Sequence, residues 1–392
     1  MYNNQMYFVH PQIKLTKQTL KSFLGNFIKA PDLTLIKKEF SFNFPGKQLV
    51  FTDMARSAFK IAIEKLNLRD SKIVLPAYIC DIFYPILKEY NIEPIFLDIE
   101  LDTFHIKTGE DLQKIKTKAK AILVSHTYGL PIKKERIEQI KNLLLIEDCA
   151  HAFGATYGST GLLQANTFVG NLGDVSFFSL YKQFPMFRGG LLVCPRSWEI
   201  NLPKTNFSFR DFISFLNCFS FFAFLFKTFG QKIAPKFIKG EKTPKPASLN
   251  PVSLNFFSQY STAYDLTLKK RKKLGLFFQK ELKKLGFQVQ ESENNVFCYL
   301  SALTPKELGD KRDKLVRELK KKRVFCTRIW HTPIVLNPEV QEEYNLNLDK
   351  FPNTVEVAKR IINFPLQTWY SKKNIKKIIL SVKKVLIELK AG

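Results

Sequence analysis

Acidic residues are scarce in this chain, 35 against 61 basic ones among 392, which leaves a formal net charge of +26. Three readings suit such an excess: polar helix faces rich in lysine, attraction to anionic lipid or a nucleotide diphosphate substrate, and nucleic acid binding. The last is disfavoured, because no nucleic-acid-binding motif accompanies the charge. Much of the charge sits in runs such as 269–273 (KKRKK), Lys283-Lys284, Lys311-Arg312 and 320–323 (KKKR), which fit the polar faces of C-terminal helices. Cysteine spacing is uninformative: Cys80, Cys149, Cys194, Cys218, Cys298 and Cys326 never form CxxC, and the five histidines never form HxxxH. A zinc site and a disulfide framework are thereby disfavoured, and no metal is expected. Residues 1–18 lack a charged-then-apolar leader, so a reducing cytoplasmic location is expected. There is no internal repeat. One uncharged stretch is dense in aromatics: Phe212 to Phe226 has fifteen residues with seven phenylalanines. A spanning helix needs about 20 apolar residues. Two readings therefore stand for this stretch: burial against a partner subunit or the core, and a helix lying in the plane of a membrane with Arg210 and Lys227 at its ends.

What is present is a core-forming chain, 45% hydrophobic and long enough for two or three domains. Residues 1–45 have weak periodicity and read as an N-terminal arm. Phe59, Ala62, Ile63 and Leu66 then mark one face of an amphipathic helix. Apolar, strand-like runs alternate with helical patterns through 72–77, 81–90, 94–99, 119–127, 133–142 and 143–149. That rhythm predicts an α/β domain over 46–240 with a mainly parallel mixed sheet, covered by helices on both faces. Further strands are expected at 175–180 and 189–195. A linker follows at 240–246. Residues 241–392 should form a smaller α+β domain, with helices over 263–285, 305–321 and 373–390 and a strand near 295–300.

Chemistry concentrates at two strand ends. Asp148 closes the apolar run 145–148, where a carboxylate meets ligands at the carboxyl edge of a parallel sheet. Buried there, it needs a cationic partner, and a pyridinium nitrogen would supply one. Lys182 lies between the strand 175–180 and the Gly189-Gly190 pair. A lysine that can bond a cofactor and a carboxylate that can hold a pyridine nitrogen protonated, in this order, suggest a pyridoxal phosphate enzyme.

The spacing resembles the DegT/DnrJ/StrS sugar aminotransferases, of the type I pyridoxal phosphate fold. Their pattern is met by Glu147-Asp148, Ala150-His151, Gly154, Gly173-Asp174, Phe178-Ser179, Lys182 and Gly189-Gly190. Matches outside this core include 55–58 (ARSA), 74–78 (VLPAY), 94–98 (PIFLD), 126–129 (HTYG), 351–353 (FPN) and 364–366 (FPL), so the likeness runs over 45–392. It implies pyridoxal 5'-phosphate held by Lys182 and Asp148, His151 reaching the cofactor's 3' oxygen, and a phosphate cradle at Arg56-Ser57 completed by Ser179. His151 also reads as an ordinary core histidine, and Ser57 as a simple helix cap.

The chain departs from the family in several places. Lys182 follows Ser179 by three residues, two fewer than is commonest. Cys80 stands where relatives often stack an aromatic ring on the pyridine, with Tyr78 and Tyr128 as candidates to replace it. The segment 248–253 (SLNPVS) occupies the place of the stretch that in many relatives reaches the neighbouring subunit's phosphate. Arg328 and His331 fall in a segment that in relatives turns toward the active site; Arg328 would suit a donor carboxylate, and also reads as an ordinary exposed arginine.

The resemblance implies a homodimeric enzyme that moves an amino group from an amino acid, glutamate foremost, to a nucleotide-linked keto sugar for surface polysaccharide. The rivals are a lyase or desulfurase on the same fold, with Cys326 the candidate loop cysteine, and a noncatalytic sugar-binding or membrane-associated scaffold. A dehydratase relative would carry histidine at the lysine position, which Lys182 argues against.

Overall fold

The computed structural model describes residues 5–14, 25–27, 31–140, 142–158, 167–229, 244–290 and 292–391. The first four residues of the expected linker, 240–243, lie outside these. In chain order the strands are β1 Tyr7–Phe8, β2 Lys47–Thr52, β3 Lys72–Pro76, β4 Glu93–Leu97, β5 Ala121–Ser125, β6 Leu144–Asp148, β7 Val175–Ser179, β8 Gly190–Pro195, β9 Gln288–Val289, β10 Leu300–Leu303, β11 Val324–Phe325 and β12 Ile361–Phe364.

Seven of them form one mixed sheet in the order β2-β8-β7-β6-β5-β3-β4. The run from β7 to β4 is parallel, while β8 pairs antiparallel with both β7 and β2. Successive residues feed opposite faces, as a two-residue period requires. Phe178, Leu191 and Leu145 enter one core, and Phe177, Leu192 and Ile146 enter the other. The helix Ala55–Lys65 covers the second core with Phe59, Ala62 and Ile63, each fully buried. This is the doubly covered sheet that the apolar runs predict.

A smaller antiparallel sheet, β12-β10-β9, lies under the helices Tyr264–Lys283, Arg312–Lys321 and Lys372–Ala391, and its core runs from Leu274 to Leu389. Two expectations need correction here. The strand predicted near 295–300 begins instead at Leu300, because Phe297 takes a left-handed turn (φ 49°) just before it. The helix predicted over 305–321 starts at Arg312, after a short 3-10 stretch that contains Gly309 at φ 53°. Leu249, Leu254, Phe256, Phe257, Tyr264 and Leu268 pack in the core of the large sheet rather than of the small one. The N-terminal arm crosses between the two regions: β1 pairs with β11, while Ile13 joins the large core.

Candidate active site

The register of the sheet gathers the predicted residues at one edge. Thr52 of β2, Gly190 of β8 and Ser179 of β7 lie side by side, and Asp148 pairs with Phe177 two residues before the end of β7. The chain leaves β2 into the helix Ala55–Lys65, and leaves β7 into the 3-10 turn Leu180–Lys182. Arg56, Ser57, Asp148, Ser179 and Lys182 therefore share an edge although 126 positions separate the first from the last.

Gly190 permits this closeness. A Cβ there would lie 2.4 Å from the Met54 carbonyl carbon and 2.4 Å from Thr52 Oγ1. Only glycine lets β8 sit against the start of the helix.

Lys182 Nζ is 3.0 Å from His151 Nε2. The backbone N–H of Tyr128 donates to His151 Nδ1 at 3.2 Å, so the single proton of the neutral ring sits on Nε2. Burial, then the charge of Lys182, holds His151 well below the usual histidine range and so keeps it neutral. Its Nε2–H is thus a donor, suited to an amine lone pair or an anionic oxygen. Rings hold the imidazole in place: Tyr128 stacks on it at 5.6 Å and Trp330 lies 4.8 Å away. Tyr128 itself is pinned at φ 59°, with its hydroxyl 2.6 Å from that of Tyr78 and donating to the Ile329 carbonyl at 2.5 Å. The two tyrosines thus brace the wall of the site.

Asp148 is 3% exposed and accepts a 2.9 Å bond from the Ala150 N–H. Burial pushes its carboxyl above the usual range, against the pull of the Lys182 charge and of that N–H. A buried acid in this state gains most from a cation brought to it. Its neighbour Glu147 is the opposite case. Gly170 N–H (2.9 Å), Gly173 N–H (2.5 Å), the Tyr157 hydroxyl and His126 Nε2 (3.0 Å) all converge on its two oxygens. Burial alone would raise its pKa, but the bonds from His126 and its other donors hold it below normal. His126, Glu147 and Cys149 bring metal-ligand atoms within 4.8 Å of one another, but this carboxylate already has its donors and His126 Nδ1 accepts from Ile132 N–H at 3.1 Å.

The helix start carries unpaired donors. Arg56 Nε and Ser57 Oγ are buried without a hydrogen-bond partner, as are Asn250 Nδ2 and Ser253 Oγ; Asp53 Oδ1 is an acceptor in the same condition. The segment 247–250 runs back along the end of β2, with Asp53 N–H on Ala247 O at 2.9 Å and Leu249 N–H on Phe51 O at 3.3 Å. The helix Pro251–Ser261 thus begins at the same end of β2. Buried donors without acceptors are costly. Together with the free amides and dipole of a helix N-terminus, they suit the oxygens of a phosphate. A buried carboxylate, an amine and this cradle at one sheet edge fit pyridoxal phosphate.

Of the remaining predicted residues, Cys80 is partly exposed, and burial raises its thiol pKa against the pull of Lys182. Arg328 gives its guanidinium to Asp313 at 2.7 Å, and the exposed His331 turns its Nδ1 to the Arg328 carbonyl at 2.9 Å. Neither lines the cavity beside Lys182. That cavity, about 260 Å³, is bounded by Gln12, Lys14, Gln183, Arg271, Thr368 and Trp369 among others. Arg271 is 4% exposed; one guanidinium nitrogen reaches Gln183 Oε1 (2.6 Å) and the Tyr264 hydroxyl (2.9 Å), while its Nε has no partner. Sequence reasoning placed Arg271 in a solvated basic run. The available signal was its register with Tyr264, Leu268, Gly275 and Phe278 on the buried stripe of the helix.

Known proteins resemble the chain in sequence and in fold. A 112-residue stretch is 37% identical to GDP-perosamine synthase of Escherichia coli O157:H7, spanning 27% of this chain and 29% of that enzyme. Over 307 residues the chain is 23% identical to dTDP-4-amino-4,6-dideoxy-D-glucose transaminase of Shigella dysenteriae, covering 75% and 74% of the two. The fold superimposes on that of the E. coli GDP-4-keto-6-deoxy-D-mannose-3-dehydratase with bound hydrated PLP, at a TM-score of 0.72 and 17% identity, over 96% of this chain and 100% of that one. The model of the DegT/DnrJ/EryC1/StrS aminotransferase family matches residues 37–199 and 262–383 and leaves 200–261 outside. The chain belongs to this family of pyridoxal phosphate-dependent aminotransferases.

Proposed function

We propose that the protein transfers the amino group of an amino acid, glutamate foremost, to the ketone of a nucleotide-linked sugar during surface polysaccharide synthesis, as a cytoplasmic homodimer. The observation that carries this reading is the meeting of Lys182, His151 and the buried Asp148 at one sheet edge, beside a largely apolar cavity into whose lining Lys14, Lys182 and Arg271 bring positive charge. Lys182, Asp148, His151, Ser179, Arg56 and Ser57 would hold pyridoxal phosphate, with Tyr78 and Cys80 on the adjoining wall. When bound, that group supplies an electron sink for the carbon that carries the nitrogen.

The chain's own residues do the rest. Asp148 would favour a positive charge on the pyridine nitrogen. Lys182 would hold the group through Nζ and, as a free amine, would accept a proton from the donor's α-carbon and later give it to the carbon that receives the nitrogen. His151 Nε2–H steadies the amine or the neighbouring oxygen, its direction fixed by the Tyr128 N–H. Arg271, with its unpaired Nε, receives the donor carboxylate, a role its planar fork suits and which Arg328, committed to Asp313, is poorly placed to fill. The presence of lysine rather than histidine at 182 favours transamination over dehydration.

The test is a pair of half-reactions followed by the absorbance of the bound cofactor. Glutamate should bleach the yellow band and a nucleotide-linked keto sugar should restore it. A band that no amino acid changes would reject the reading.

A further inference from the structure

The aromatic segment lies between the two stretches that match the family model. It forms two short helices, Phe209–Leu216 and Ser220–Phe229, with a 99° bend between the first and Ser220–Thr228. The first is set by a capping box, Ser208 with Asp211. Eight and ten residues give lengths of about 12 and 15 Å, far short of the ~30 Å hydrocarbon core of a bilayer. Among the described residues no single helix is long and apolar enough to cross a membrane.

Phe215 and Ala223 are buried beneath the pair, whereas Phe209 is 78% and Phe221 62% exposed, with Phe212 and Phe222 also open to solvent. Charge on these helices has one sign at the surface. Asp211, the one acid in 209–229, is buried and paired with Arg188, while Arg210 is exposed and Lys227 half-buried. Lys320 reaches across to the Lys227 carbonyl at 2.8 Å, and exposed Lys204 precedes the first helix. Protruding aromatics rimmed by cations suit a headgroup layer of opposite charge. We propose that the bent helix pair docks in plane on a bilayer containing anionic lipid, inserting Phe209, Phe212, Phe221 and Phe222 while Arg210, Lys204 and Lys320 meet the headgroups. Docking is independent of the amination chemistry.

The test uses the full-length protein and vesicles of phosphatidylcholine alone or mixed with phosphatidylglycerol. The protein should co-sediment with the mixed vesicles at low salt and be released at high salt. The double variant Phe209→Ser/Phe221→Ser should bind them roughly tenfold or more weakly, with its mass in solution and its cofactor absorbance unchanged. In a second readout, Phe209→Trp emission should shift to the blue on the mixed vesicles. No binding at low salt, equal binding by the double variant, or an unshifted Trp emission would overturn the proposal. So would a fall in the solution mass of the double variant, which would make the patch a contact between copies.

Discussion

Two buried acids stand next to each other at the end of β6 and differ in almost everything but position. Glu147 is surrounded by donors from Gly170, Gly173, Tyr157 and His126, and its pKa lies below normal. Asp148 is equally buried yet has fewer donors, the Ala150 N–H and the Ser125 hydroxyl, and its pKa lies above normal. The full donor set suits the first to a scaffold role, and the raised pKa of the second suits it to the ligand role proposed above, since a buried charge is stabilised by a cation brought to it. The same contrast separates Arg328, ion-paired with Asp313, from Arg271, whose Nε lacks a partner.

The comparison is sharpened first at Glu147. Glu147→Gln breaks a buried charged network and should cost about 3–5 kcal/mol in denaturant unfolding. Because its folded pKa lies below its ordinary value, Glu147 stabilises the fold fully above about pH 4.5, and that stability disappears as pH falls through the folded value. The variant should therefore lose its stability advantage at neutral pH and differ least from wild type in acid. If it folded as well as wild type and lost only turnover, the contrast would fail.

Asp148→Asn should behave in the opposite way. Turnover should fall by about 10²–10³-fold. The folded pKa of Asp148 is raised, so its charged form costs stability as pH rises through that value. The cofactor-free variant should then unfold at a higher temperature than cofactor-free wild type at neutral pH, as calorimetry would show.

Next comes the arginine pair. Arg271→Ala should raise KM for the amino donor by roughly 10–100-fold, the worth of a lost charged hydrogen bond, with little change in KM for the keto sugar. Arg328→Ala, which removes a half-exposed ion pair, should change stability by less than about 1 kcal/mol and leave both KM values alone. The smallest effect is expected at the phosphate cradle: Ser57→Ala should weaken cofactor binding by about two- to tenfold in a fluorescence titration.

Much of this was legible in the sequence, because its signals are local. The alternating apolar runs gave the sheet, and Asp148, Lys182 and the glycine pair gave the chemistry. Gly190 shows why the pair matters: the requirement is steric, and the sequence records it as a residue type. The features that escaped are those made by distant parts of the chain. Nothing in the lysine run around Arg271 states that Gln183 and Tyr264 will enclose it, and nothing near Gln12 states that the arm will border the Lys182 cavity. Arg328 looked available because Asp313 lies 15 positions away, on a different element. The strand at Leu300 was misplaced for a local reason, a left-handed Phe297 that propensity does not foresee.

The most direct test is to reduce the holoenzyme with borohydride, digest it and find the lysine that bears the cofactor by mass spectrometry. The label should lie on Lys182, and be absent from that peptide in Lys182→Ala. A label on any other lysine, or a yellow band that survives in Lys182→Ala, would contradict the site described above.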